Sequence, residues 1–224
     1  MLELRRGLEA LGLQADDLSS SRLLAFLDLL ARWNKHYNLT AVRDPQTMLS
    51  RHLLDCLAVL PSLDRHFLSC QQPHPPRLLD VGSGAGLPGV VLAIMRPDWS
   101  VSCVDAVAKK TAFVQQAAAE LGLKNLASIH SRVEELRVPT FNLIVSRAFA
   151  SLHDFTRLTA GHLARSGCWV AMKGSVPIEE AAALPPSVTV FHVEQLVVPG
   201  LDAQRCLVWL RNTELPPLGQ AFSD

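Results

Sequence analysis

Leu23, Leu24, Phe26, Leu27, Leu30, Trp33 and Tyr37 return at helical spacing, with Ser19–Ser21 before them as an N-cap, so a helix is predicted there. A second helix is expected to open at Asp44-Pro45, a capping residue followed by proline at the first helical position. It would carry Met48, Leu49, His52, Leu53, Cys56, Leu57 and Leu60 on one side. The run Gln71-Gln72-Pro73-His74-Pro75-Pro76 then breaks any regular structure, because proline removes donors and restricts its neighbours. Beyond it short apolar runs alternate with helical patterns. Strands are expected at Arg77–Val81, Val101–Val104, Ala127–His130, Phe141–Val145 and Cys168–Met172. Helices are expected at Gly86–Met95, at Val107–Leu121 closed by Gly122, and from Ser151 to about Leu163. Two longer strands, Val188–Leu196 and Arg205–Arg211, follow with no helix between them, which suggests an antiparallel ending. The alternation predicts an α/β fold with a mostly parallel sheet covered on both faces. The expected organisation is a helical extension over 1–70, an α/β domain over 77–211 and a frayed tail over 212–224.

Length and composition narrow this picture only at the edges. With 224 residues, 49% of them hydrophobic, the chain can bury one large α/β core. It holds no stretch of about 18 unbroken apolar residues and no signal-peptide pattern at Met1-Leu2-Glu3-Leu4-Arg5-Arg6, so no membrane association is expected. Cys56, Cys70, Cys103, Cys168 and Cys206 are scattered and odd in number, as expected of a reduced cytoplasmic protein. A net charge of zero argues against a large nonspecific nucleic-acid footprint, though not against a local basic patch.

The candidate chemistry begins after the first strand, where Gly82, Gly84, Gly86 and Gly89 fall in one loop. Glycine lets the backbone turn tightly and lets a ligand approach it, as a nucleotide site at the strand ends of an open sheet requires. Gly84-Ala85-Gly86-Leu87-Pro88-Gly89 fits the dinucleotide fingerprint, a weak match alone. The wider string Asp80-x-Gly82-x-Gly84-x-Gly86 resembles the first motif of class I methyltransferases, where the strand-end acid lies near the methionine part of the cofactor. A tight turn serving only helix–sheet packing is the third reading. Asp105, about 20 residues past the loop, could bind ribose hydroxyls or cap the next helix. Ser131-Arg132-Val133-Glu134 reads as a capping box at the ligand edge of the sheet.

Further along, Arg147 ends the fourth strand and should meet Asp80, a cofactor carboxylate or a substrate, because burying it unpaired is costly. Lys173 makes the same argument at the end of the fifth strand. Trp33 and Tyr37 fit core packing better than base stacking, and His52 fits a hydrogen-bonded packing residue. His66, Cys70 and His74 lack a fourth ligand, so no metal site is expected.

Longer strings resemble one family. Leu79-Asp80-Val81-Gly82-Ser83-Gly84-Ala85-Gly86-Leu87-Pro88-Gly89, Ser131–Glu135, Ser146–Leu152, Met172-Lys173-Gly174, Trp33–Thr40, Arg51–Asp55 and Val198–Asp202 are similar to segments of the ribosomal RNA small subunit methyltransferase G family, also called glucose-inhibited division protein B, over roughly residues 20 to 210. The resemblance implies a Rossmann-like class I fold of seven strands with an antiparallel last strand. It also implies S-adenosyl-L-methionine as cofactor, S-adenosyl-L-homocysteine as product, and methylation of guanine N7 in the decoding-region loop of 16S rRNA. Its cofactor contacts fall on Gly82, Leu87, Val133, Glu134 and Arg147, to which strand geometry adds Asp80, Gly84 and Asp105. Guanine N7 has a lone pair and no proton, so alignment would do most of the catalysis. No Asp-Pro-Pro-Tyr or Asn-Pro-Pro-Tyr string follows the fourth strand and no Pro-Cys nucleophile occurs, in keeping with that chemistry. Arg132, Arg147, Lys109 and Lys173 are expected to hold RNA phosphates or the guanine edge. The expected partner is 16S rRNA within the small subunit or an assembly intermediate, met by a monomer without a metal.

Two other classes stay open. An NAD-dependent oxidoreductase would use Gly84, Gly86, Gly89 and Asp105, but no Tyr-x-x-x-Lys pair or His-centred acid–base set follows. A noncatalytic binding module would show a disabled loop, and this loop is intact.

Overall fold

The computed structural model describes residues 1–69, 75–147, 149 and 151–214. Cys70, residues 71–74 of the proline-rich break and residues 215–224 of the expected tail lie outside them. The first elements are α1 (Leu2–Ala10) and α2 (Asp17–Tyr37). Helix α1 is not among the predicted elements, although Leu4, Leu8 and Leu11 recur at helical spacing. Helix α2 starts earlier than expected, because the Asp16 carboxylate accepts the Ser19 amide at 2.7 Å and caps it in place of Ser19–Ser21. The second predicted helix does open at Asp44, whose carboxylate accepts the Thr47 amide at 2.7 Å. It is interrupted, running as α3 (Pro45–Met48), a π-helical turn over Leu49–Leu54, and α4 (Asp55–Leu57). Helix α5 (Leu60–Ser69) follows.

A buried polar network fixes the turn between α2 and α3. Asn34 donates to the Val42 carbonyl at 3.1 Å and accepts the Thr40 amide at 2.9 Å. The Thr40 hydroxyl lies 2.8 Å from His52 Nε2. His52 Nδ1 sits 3.1 Å from the Arg51 carbonyl, which can only accept, so Nδ1 carries the proton and Nε2 accepts from Thr40. Burial, and then the nearby Arg147, push the His52 pKa down to about 4, so the ring is neutral. Asn34→Ala strands the Val42 carbonyl and the Thr40 amide, and a loss of about 2 kcal/mol is expected in urea unfolding.

Strands β1 (Arg77–Val81), β2 (Ser100–Asp105), β3 (Leu126–His130), β4 (Phe141–Ser146), β5 (Leu163–Lys173), β6 (Val188–Leu196) and β7 (Arg205–Asn212) form a seven-stranded sheet in the order β3-β2-β1-β4-β5-β7-β6. All neighbours pair in parallel except those of β7, which is antiparallel to both β5 and β6. Strand β4 is buried at every position because both its faces are covered. Leu143 and Val145 join an apolar cluster with α1, α2, α5, α6 (Gly89–Met95) and α7 (Ala108–Glu120), while Phe141 and Ile144 join another with α8 (Leu152–Thr159). Trp33 packs in the first cluster, edge-on to Phe113 at 5.5 Å, whereas Tyr37 is 47% exposed.

Several predicted bounds move for local reasons. Helix α6 begins at Gly89 rather than Gly86, since Gly84 and Gly86 hold φ of +57° and +76°, outside the helical region. The expected capping box at Ser131–Glu134 does not form. The Ser131 hydroxyl donates to the Arg132 carbonyl and only a 3₁₀ turn, Val133–Glu135, follows. Pro139 disfavours helical geometry at Val138, and β4 must begin at Phe141. A short helix α9 (Ile178–Ala182) was not foreseen. The order of strands reverses between β1 and β4, which places the switch point of the sheet beside the glycine loop.

Candidate functional site

The glycine loop leaves β1 and crosses the end of β2. Most of its amides donate within the protein. Gly82 and Ser83 donate to the Val104 carbonyl at 2.9 and 3.1 Å, and Gly86 and Leu87 donate to the Ser83 carbonyl at 2.8 and 3.0 Å. Gly84 donates to Asp105 Oδ2 at 2.9 Å, and Gly89 donates to Asp80 Oδ2 at 2.8 Å. A pyrophosphate bound in the dinucleotide manner needs free amides there. This loop spends most of them on itself and on the sheet, so it suits a nucleoside cofactor that carries no phosphate.

The acids under the loop act as its braces. Asp105, 7% exposed, accepts the Gly84 amide on one oxygen and the Val107 amide at 2.9 Å on the other, with Lys110 at 3.6 Å. Asp80 is fully buried, with Oδ1 unpartnered among the described residues. Burial pushes its pKa up to about 7, against the lowering effects of the Gly89 amide and Arg147. Above the loop, a Cβ on Gly84 would meet nothing nearer than the Gly82 carbonyl at 3.9 Å, so the backbone is open to a ligand. Leu87 and Val133 are buried, at 3% and 5% exposure, while Arg132 and Glu134 are exposed in the segment after β3 and Lys109 is exposed in the first turn of α7. These positions share the carboxyl-end edge of the sheet.

Arg147 does not meet Asp80. Asp80 is turned toward the Gly89 amide beneath the loop, and Arg147 Nη1 reaches Asp55 at 3.4 Å and the Arg51 carbonyl at 3.2 Å. Arg205 Nε binds the other Asp55 oxygen at 2.8 Å. Lys173 Nζ lies 2.9 Å from both Glu180 oxygens. Arg147 and Lys173 thus line one open cleft of about 400 Å³ with Val42, Arg51, His52, Asp55, Met172, Gly174 and Arg205. Lys109 and Arg132 are not in its walls. Phe149 leans over the glycine loop, since a Cβ on Gly82 would come within 3.0 Å of its ring.

Asp55, Arg205 and Phe149 had no assigned role in the sequence reading. Asp55 had a signal: a carboxylate inside the apolar run His52-Leu53-Leu54-Asp55-Cys56-Leu57 must find a cation. Arg205 had none, because the partner that fixes it lies 150 residues away.

Comparison with known proteins agrees with this geometry. A family model described as rRNA small subunit methyltransferase G matches residues 19–208. Proteins named ribosomal RNA small subunit methyltransferase G are 57% identical over 93% of this chain and 92% of their own length in Polaromonas sp., and 58% identical over 93% of each in Acidovorax sp.. Among solved structures, a SAM-dependent methyltransferase from Aquifex aeolicus superposes with a TM-score of 0.54 at 17% identity, covering 75% of this chain and 93% of its own. TrmN from Thermus thermophilus superposes with a TM-score of 0.55 at 21% identity, covering 73% and 53%. Both carry the same fold.

Proposed function

Because this chain belongs to the rRNA small subunit methyltransferase G family, and is thus an S-adenosylmethionine-dependent rRNA methyltransferase, we propose that it carries out the family's guanine-N7 methylation of 16S rRNA by alignment, with no side chain moving a proton. The observation that carries the mechanism is the loop most of whose amides are spent inside the protein while its outer face stays open.

When bound, the cofactor supplies an electrophilic methyl on a sulfonium. Gly82, Gly84, Leu87, Val133, Glu134 and Arg147 would hold it. Asp105 acts by fixing the Gly84 amide, and Asp80 by fixing the Gly89 amide. Guanine N7 brings its own lone pair, so the site needs no base. His52, the titratable ring in the cleft wall, is neutral and committed to Thr40 and the Arg51 carbonyl, as such a mechanism allows. The residues of the site would contribute alignment and preorganised dipoles rather than proton transfer.

The substrate is 16S rRNA presented in the small subunit or an assembly intermediate, in the cytoplasm. Support for a structured target comes from the zero net charge, which gives little nonspecific affinity. No helix among the described residues is long and apolar enough to cross a membrane. Arg132, Lys109 and Lys173 are proposed to engage RNA phosphates.

Methyl-labelled cofactor and small subunits lacking the modification test this directly. Label mapped by nuclease digestion and mass spectrometry to one N7-methylguanine is the expected result. Label on another base or on protein overturns the substrate, and absence of cofactor binding overturns the whole reading. Arg147→Ala should lower kcat/KM about tenfold or more through lost electrostatic and positioning contacts. Wild-type turnover in that variant would remove Arg147 from the site.

A further inference from the structure

The cleft beside Arg147 carries a charge arrangement that folding alone does not require. Its walls hold Arg51, Arg147, Lys173 and Arg205, and the carboxylates that face these are Asp55 and Glu180. The Asp55 side chain, 5% exposed, takes Arg147 on one oxygen and Arg205 on the other. Burying a carboxylate to hold two guanidinium groups costs desolvation that well-packed apolar residues would avoid. What the arrangement supplies is direction: both arginines are aimed into the cleft with donors unspent. Arg205 uses Nε on Asp55 and Nη1 on the Gln204 carbonyl at 2.8 Å, leaving Nη2. Arg51 is exposed, and its guanidinium has no partner among the described residues. Lys173 is offset by Glu180, so the uncompensated charge rests on Arg51 and on the arginine pair that shares Asp55. In a protein of zero net charge this is a local positive centre at the mouth of the β4 exit.

We propose that this cleft binds the sugar–phosphate backbone next to the target guanine, with Arg51 and Arg205 on phosphate oxygens and Asp55 as the positioning residue that aims Arg205 and Arg147. It rests on the rRNA reading above and deepens it. A guanine delivered to the end of β1 and β4 brings its own phosphates within one nucleotide of that point, and the cleft opens there. Planar guanidinium groups match phosphate geometry, and an unpaired loop strand can be drawn into an open cleft at low cost.

The test uses the full-length protein with small subunits lacking the methyl mark. Arg51→Gln is the clean variant because the side chain is exposed and unpaired. Arg205→Gln leaves Asp55 with Arg147 and checks the second contact. Each should raise KM for subunits about five- to tenfold and reduce the slope of log binding constant against log salt by about one. Cofactor affinity, measured by calorimetry, should stay within about twofold of wild type, since neither side chain belongs to the phosphate-free loop. Asp55→Asn should shift KM in the same direction and leave the salt slope lowered. A purely structural role would instead lower the melting temperature and cofactor affinity while leaving the salt slope of the remaining folded protein unchanged. Wild-type KM and slope in both arginine variants overturn the cleft assignment. Failure of wild-type protein to methylate any subunit RNA overturns the functional reading first, and the cleft assignment with it.

Discussion

Asp80→Asn should make the cofactor-free protein more stable than wild type at pH 8 and bring the two to within about 1 kcal/mol of each other near pH 4.5. Burial raises the Asp80 carboxyl from its ordinary 3.8 to about 7. Between these values the folded state keeps a proton that the unfolded chain releases, so this residue's contribution falls as pH rises and is fully lost above about 7. The loss is roughly 3–4 kcal/mol as an order of magnitude. Two histidines act in the opposite sense. Burial lowers His52, with Arg147 assisting, and His66 from 6.5 to about 4. Each must lose a proton to stay buried, so each adds stability as pH rises from about 4 to 6.5, roughly 2–3 kcal/mol apiece. Wild-type stability should therefore climb over that window, held back by Asp80, and the Asn variant should climb more steeply. Urea unfolding at pH 4.5, 6 and 8 reads this out. Parallel curves for the two proteins would show that Asp80 is ionised at ordinary pH.

Gly89→Ala should cost about 3 kcal/mol or more and abolish measurable cofactor binding. The added Cβ would stand 2.3 Å from Cys103 Sγ, 2.9 Å from Asp80 Oδ2 and 3.2 Å from Asp80 Cβ. Neither neighbour can yield, since both project from the ends of central strands. Helix α6 would have to withdraw from the sheet, and the Gly89 amide would leave the Asp80 carboxylate, whose Oδ2 it meets at 2.8 Å. Cys103→Ala added to this variant should relieve the sulfur clash but not the carboxylate, making the double variant more stable than the sum of the single effects by about 1 kcal/mol. Full additivity would show that the helix moves away regardless of what lies beneath it.

Much of the sheet was legible because a strand covered on both faces, such as β4, reads as a mostly apolar run, here interrupted by Asn142. The glycine loop and its position were legible for a similar reason, since glycine adopts at least cost the positive φ found at Gly82, Gly84 and Gly86. The family strings supplied what residue patterns could not, the cofactor and the RNA. What escaped depended on distance in sequence. The Asp55–Arg147 and Asp55–Arg205 pairs join residues 92 and 150 positions apart, and no local pattern announces them. The Ser131–Glu134 box looked like a helix start and failed because β4 begins too soon after it.

The place of β7 bears on the order in which the ribosome releases this chain. β7 is made after β6 yet sits between β5 and β6, so β6 emerges before the strand that attaches it. Until then the parallel set β3-β2-β1-β4-β5 presents Trp169–Lys173 of β5 as a bare edge, the kind that pairs with neighbouring chains. The short link from Leu196 to Arg205 lets β6 and β7 close on each other as a hairpin and cover that edge of β5 in one step, which passes the outer position from β5 to β6.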